Sequence, residues 1–128
     1  MRVLLDTHAF VWLTSGDRRL SALARRIVED RNNDTYVSIV SCWEIAIKVS
    51  LGRLEVAAPL AELFTDEIEG NGMTLVTVER SHLLELTKLP LAHKDPFDRL
   101  LAAQARIANL ALISNDQAMD AYGISRIW

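Results

Sequence analysis

Residues 35–51 read TYVSIVSCWEIAIKVSL, and the change of rhythm at Ser41 decides the fold. Thr35–Val40 is β-branched and aromatic, the composition of a strand. Ser41–Leu51 has helical spacing and stops at Gly52, a residue suited to end a helix. The same succession recurs on both sides. Arg2–Leu5 (RVLL) is a short buried strand, and Thr7–Leu13 a short segment that Asp6 can cap. Ser21–Arg31 (SALARRIVEDR) is a helix capped by Ser21, with Leu23, Ile27 and Val28 on one side. Leu60–Ile68 reads as a helix halted by Gly70-Asn71-Gly72. Thr74–Val78 (TLVTV) is a third strand, followed by a helix over Arg80–Lys88. The stretch His93–Ala105 (HKDPFDRLLAAQA) starts the best helix, with Phe97, Leu100, Leu101, Ala105 and Ala108 in one apolar stripe. Ala111–Ile113 is a fourth strand and Ile124–Ile127 a fifth. Strands alternating with helices predict a doubly wound α/β fold. Its four- to five-stranded sheet is mostly parallel, with helices on both faces, in a single domain over 1–128.

The composition agrees. Half of the 128 residues are hydrophobic and 24% are charged, which excludes a disordered chain. No apolar run approaches the roughly 20 residues that span a bilayer. The start, MRVLLDTHAF, reaches an acid too early for a signal peptide. Cys42 is the only cysteine, which excludes an internal disulfide and an all-cysteine metal site. These features predict a soluble, cytoplasmic protein. The net charge of −3 argues against a broad basic face for nucleic acid, unless bound divalent cations cancel some of the acids.

In open α/β sheets, ligands bind beyond the carboxyl ends of the strands. Acids stand there repeatedly. Asp6 follows RVLL, Glu44 comes one helical turn after TYVSIV, and Asp116 follows ALI through Ser114 and Asn115. Asp95 and Asp98 open the helix that precedes the fourth strand. Each acid also has a purely structural reading. Asp6 and Asp116 can cap the segments after them. Asp95 suits an N-cap, with Pro96 at the first helical position and Asp98 in the first turn, where acids suit the helix dipole. Ser41–Glu44 matches a capping box, and Glu44 can pair with Lys48 one turn on.

Together the acids demand more. Cys42–Val49 is apolar nearly all round except for Glu44 and Lys48, so it should be a buried helix with Cys42 and Trp43 in the core, as Trp12 should be. A buried carboxylate costs several kcal/mol unless it is paired or binds a metal. Several facing one another repel. A divalent cation removes both penalties, and hard oxygen ligands select Mg²⁺ or Mn²⁺ over zinc. Such a site suits metal-assisted hydrolysis of a phosphodiester. Other chemistries lack their parts: no glycine-rich phosphate loop, no Gly-x-Ser-x-Gly elbow, no second acid two residues after Asp6. His8, His82 and His93 are too scattered for a zinc site and read as surface or hydrogen-bonding histidines.

LLDTHAFVWL, VSIVSCWEIAIKVSLGRLEV, HKDPFDRLLAAQA and LISNDQAMDAYGISRIW, in that order, resemble PIN-domain proteins, above all the ribonuclease toxins of VapBC-type toxin–antitoxin modules. The resemblance runs from Arg2 to Trp128. It implies a Mg²⁺- or Mn²⁺-dependent endoribonuclease with Asp6, Glu44, Asp98 and Asp116 as catalytic metal ligands. Asp98 rather than Asp95 is the third acid because it directly precedes RLLAAQA, as the family's acid precedes its own run. Asp95 then caps the helix and pairs with Arg99. Thr7 and Ser114 match small hydroxyl positions beside the metal. The resemblance further implies an RNA substrate, a separately encoded antitoxin over the cleft, and a homodimer. Lys48, Lys94 and Arg99 are candidate RNA contacts, within a basic rim that Arg53 and Arg106 would complete. Two other functions remain to be separated by cleavage assays: a non-catalytic RNA- or protein-binding module, and a metal phosphoesterase acting on another substrate.

Overall fold

A computed structural model describes residues 1–92 and 94–128, so His93 lies outside the described residues. Among them, five strands form one sheet: β1 (Arg2–Leu5), β2 (Asp34–Ser38), β3 (Thr74–Val76), β4 (Ala111–Ile113) and β5 (Arg126–Ile127). Their order is β3-β2-β1-β4-β5, and every pairing is parallel. The chain winds outward from β1 to β3, then returns to β4 on the other side of β1. The direction of winding therefore switches between β1 and β4, where an open sheet leaves a crevice at its carboxyl edge.

Helices α1 (Thr7–Ser15), α2 (Ala22–Glu29), α3 (Ile39–Ser50), α4 (Leu60–Leu63), α5 (Arg80–Leu86) and α6 (Pro96–Ala108) cover the sheet. Alternation along the strands separates two cores. Val3, Leu5 and Val37 face Phe10, Trp12, Ala24, Ile45 and Leu63 from α1 to α4. Leu4 faces Leu100, Leu101, Ala105 and, from the chain beyond β4, Met119 and Tyr122. No helix among the described residues is long and apolar enough to cross a membrane.

Most elements lie where the sequence puts them, with instructive departures. β2 ends at Ser38, not Val40, because the Ser38 hydroxyl accepts from the Val40 amide and caps α3. Helix α3 thus starts two residues before Ser41, which leaves Ser41 inside the helix and removes the capping box expected with Glu44. Trp43, expected in the core, is 59% exposed. It packs edge-on against Phe97 of α6, ring centres 5.0 Å apart, and leaves the rest of the indole to solvent. The helix expected over Leu60–Ile68 keeps helical form only to Leu63; turns and a short 3-10 helix, Glu69–Asn71, carry the rest.

Candidate active site

The carboxyl ends of β1 and β4 are tied together, the Asp6 amide donating to the Ile113 carbonyl at 3.0 Å. Asp6 then turns its side chain back over the start of α1, where it accepts from the Ala9 amide at 2.8 Å. The cap is real, and it leaves the carboxylate 5% exposed at the switch point. Burial pushes the Asp6 carboxyl above its ordinary value of 3.8. Ser114, the Ala9 amide and His8 oppose that rise, and nearby Glu44 adds to it. The first and second acids therefore feel each other across the crevice.

Glu44 is 3% exposed, and both of its oxygens are engaged. Oε1 accepts from Thr7 Oγ1 at 2.7 Å, and Thr7 Oγ1 lies 3.0 Å from Ser41 Oγ. Oε2 accepts from Lys48 Nζ at 2.6 Å, the i,i+4 pairing foreseen from the sequence. Thr7, the first residue of α1, thus joins the helix that follows β1 to the helix that follows β2. Ser41 completes the contact. Its position inside α3 rather than at the cap hid it from sequence reasoning.

On the β4 side, Ser114 is fully buried and its Oγ accepts from the Asp116 amide at 3.1 Å. Asp116 is half-buried and caps the 3-10 helix Gln117–Tyr122, its Oδ1 accepting from the Ala118 amide at 3.0 Å. The fourth acid is reached from the first through one buried serine.

Helix α6 runs back against the strands: its last residue, Ala108, receives a hydrogen bond from Arg2 at the amino end of β1. Its first turn, with half-buried Asp95 and Asp98, accordingly lies toward the carboxyl edge. Asp95 Oδ1 accepts from the amides of Phe97 at 2.9 Å and Asp98 at 3.4 Å, the expected cap. The Phe97–Trp43 contact sets Asp98 and Glu44, the residues following each aromatic, on neighbouring turns of α6 and α3. Deeper in α6, fully buried Gln104 accepts from Ser38 Oγ at 2.5 Å and donates to the Thr77 carbonyl at 3.3 Å. It pins α6 to the ends of β2 and β3. A lone amide among alanines in LAAQA was its signal in the sequence, and it was missed.

The acids share one edge without forming a closed cage. Among the described residues, no three acids, histidines or cysteines are drawn close enough to enclose a metal ion. The expected basic rim is also thinner than its residues suggested. Arg106 stands at the far end of α6, about 12 Å along the axis from Asp98, and bonds Glu85 and the Tyr122 carbonyl. Arg99 donates to the carbonyls of Pro90 and Leu86. Lys48 is on Glu44; Lys94 and Arg53 are exposed. Cys42 is buried, and desolvation pushes its thiol up to about 11, so it is no nucleophile at neutral pH. His82 Nδ1 accepts from the Glu79 amide in a cap of α5.

Comparison with known proteins places this edge in context. The chain is 36% identical over 58 residues to Ribonuclease VapC16 of Mycobacterium tuberculosis, a stretch that covers 45% of this chain and 41% of that protein. Solved structures share the fold along nearly its whole length. VapBC2 from Rickettsia felis, bound to a DNA fragment from its promoter, matches with a TM-score of 0.71 at 13% identity, covering 99% of this chain and 98% of that one. VapBC-1 from nontypeable Haemophilus influenzae matches at 0.68 and 16%, covering 99% and 97%. FitAcB from Neisseria gonorrhoeae matches at 0.66 and 17%, covering 98% and 96%. The family pattern described as PIN domain matches residues 3–124. On that match, and with Asp6 at the switch of a sheet of this order, the chain belongs to the PIN-domain family.

Proposed function

We propose that this chain is a metal-dependent endoribonuclease, the toxin of a toxin–antitoxin module, formed by a single domain over residues 1–128. The observation that carries the reading is the burial of Asp6 at the β1/β4 switch, with Glu44 buried alongside on the hydroxyl of Thr7, the residue that follows Asp6. Two carboxylates placed there, with Asp98 and Asp116 on the same edge, cost stability and contribute little packing. The 36% identity to a protein named a ribonuclease supports the substrate class. The likeness to VapBC complexes supports a separately encoded antitoxin; a cytoplasmic setting and a homodimer belong to this reading as what the resemblance to such toxins implies.

The donor chemistry fits Mg²⁺ or Mn²⁺. All four candidate ligands are carboxylates, and a cation already sits on one of them in the form of the Lys48 ammonium. Asp6, Glu44, Asp98 and Asp116 would hold the metal; when bound, it supplies charge to neutralise the phosphate and to acidify an attacking water. The chain's own residues do the rest. The Ala9 amide and Ser114 fix the Asp6 carboxylate, and Thr7 fixes Oε1 of Glu44, so neither acid is free to swing. Ser114 also fixes the backbone at Asp116. Asp95 holds the first turn of α6 in shape, which keeps Asp98 at the edge. Lys94, exposed next to that turn, is placed to meet an RNA phosphate.

The test is cleavage of RNA, single- and double-stranded DNA, and a small phosphodiester, each with Mg²⁺, Mn²⁺ or chelator. Internal cuts in RNA alone, abolished by chelator, are expected. Turnover of the small diester or of DNA in preference to RNA would point to a general phosphoesterase. RNA binding without cleavage under every metal condition would leave a binding module.

A further inference from the structure

We propose that Lys48 is the resident counter-cation of the acidic edge, holding Glu44 when no divalent ion is bound and leaving it when Glu44 becomes a ligand. The inference rests on the metal reading above and adds a step to it.

Glu44 is deeply buried on α3, and its two oxygens are divided between two donors of different kinds. Thr7 is as buried as the carboxylate it serves. It belongs to the frame. Lys48 is different: its side chain is 36% exposed, while that of Glu44 is 4% exposed. The ammonium reaches inward from the last turns of α3 to Oε2 at 2.6 Å, on a flexible stem whose other stable position is in water. Glu44 cannot follow it out. Of the two partners only Lys48 can move.

A divalent ion and an ammonium compete for the same place. An ion bound at Oε2 would lie within a few ångströms of Nζ, where like charges repel strongly in a site poor in water. With the ammonium in position, the charge of Glu44 is compensated and its Oε2, the oxygen Thr7 leaves open, is occupied. That occupancy accords with the absence, among the described residues, of any three ligand groups close enough to enclose an ion. The pair therefore keeps the metal-free chain stable at a cost in metal affinity. The competing possibility has the opposite sign. If Lys48 only oriented a ligating Glu44, as supporting residues around metal sites do, its removal would weaken metal binding by about 10- to 100-fold.

Titration calorimetry of Mn²⁺ alone into the full chain, with melting curves in chelator and in Mn²⁺, distinguishes the two. Four proteins suffice: wild type, Lys48→Met, Lys48→Arg and Glu44→Gln. Lys48→Met keeps the apolar stem and removes the charge. It is expected to bind Mn²⁺ about tenfold more tightly than wild type, the effect of removing one like charge a few ångströms away, to melt lower in chelator, and to gain more from Mn²⁺. Lys48→Arg, with a guanidinium that grips a carboxylate with two donors, is expected to bind Mn²⁺ more weakly than wild type. A Lys48→Met chain that folds only with Mn²⁺ supports the proposal as well. If it does not fold at all, Lys48→Arg decides, and Mn²⁺ affinity equal to or above that of wild type overturns the proposal. Unchanged or weaker affinity in a folded Lys48→Met also overturns it, while leaving the metal site standing. Heat of binding absent from all four proteins would instead remove the metal reading, and this inference with it.

Discussion

Replacing Thr7 by valine tests whether the site is held together as its geometry indicates. The swap is nearly isosteric: a methyl takes the place of the hydroxyl that donates to Glu44 Oε1 at 2.7 Å and lies 3.0 Å from Ser41 Oγ. Thr7 is the first residue of α1, so its backbone amide has no helical partner to lose. What is lost is one hydrogen bond to a buried charged group, worth about 1.5–3 kcal/mol. Solvent cannot replace it, because Glu44 is 3% exposed. For a chain of this size each kcal/mol moves the melting temperature by roughly 3–5 °C, so Thr7→Val should melt about 5–15 °C below wild type in chelator. Thr7→Ser keeps the hydroxyl and should lose only the buried methyl, about 1 kcal/mol. In a Glu44→Gln background the Thr7→Val penalty should shrink by about 1 kcal/mol, since the charge that made the bond strong is gone. Thermal and urea melts of wild type, the three single variants and the Thr7→Val/Glu44→Gln double variant measure all of this. A Thr7→Val protein as stable as Thr7→Ser, or a penalty identical in both backgrounds, would refute the network.

The remaining predictions concern the acids directly. Burial raises the Asp6 carboxyl above 3.8, so the folded state holds that proton at pH values where the unfolded chain has lost it. Stability from this group is therefore present below pH 3.8 and is lost as pH rises through the folded value. Metal-free Asp6→Asn keeps the cap on Ala9 and should gain on wild type as pH rises from 3.8 toward neutrality; urea melts showing no pH-dependent difference would dismiss the buried-charge penalty. Asp98→Asn should lower RNA cleavage by about a hundredfold, while Asp95→Asn, an equally good cap, keeps most activity; equal loss in both would make Asp95 part of the metal site. Free Mn²⁺ at 100 times its dissociation constant should stabilise wild type by about 2.7 kcal/mol, and Glu44→Gln should lose much of that gain; identical gains in thermal shift would return Glu44 to a structural role.

The parts of the fold legible in the sequence are those where local and global preferences agree. RVLL and ALI are strands of the expected length because they are branched, apolar and buried on both faces, and the acids or turns that bound them are unmistakable. Asp95 and Pro96 open α6 as their types require. Legibility fails where one residue serves two elements. Ile39 and Val40 favour a strand, yet Ser38 caps a helix over them, and a cap outweighs weak β propensity. That two-residue error turned Ser41–Glu44 into a capping box that does not exist. It did not hide the burial of Glu44, which followed from the apolar residues nearly all round Cys42–Val49. Trp43 went astray for the complementary reason. A helix apolar all round reads as buried all round, but the Trp43 indole meets Phe97 of α6 edge-on and remains largely outside with Ile39. Ser41 and Gln104 became visible only when helices distant in sequence came together.

Three of the candidate acids also do structural work, which raises the question of why acids do it. Asp6 caps α1, Asp95 caps α6, and Asp116 caps the last 3-10 helix. Elsewhere the same task falls to a neutral hydroxyl: Ser21 caps α2 and Ser38 caps α3, each accepting one amide hydrogen bond. Serine, asparagine and aspartate are nearly equal as N-caps, so capping alone gives no reason to prefer a charge. A helix dipole favours an acid by a few tenths to about 1 kcal/mol. For a half-buried cap such as Asp116 or Asp95 that suffices. For Asp6 it does not. Its carboxylate is buried, feels the charge of Glu44, and is destabilised by both circumstances, so serine would cap α1 at less cost. Glu44 caps nothing and requires Thr7 and Lys48 to be tolerated at all. The two acids with the weakest structural justification are thus the two buried ones, joined through Thr7 beside the sheet's switch point. A cation bound between them is the one circumstance in which their charge is an advantage.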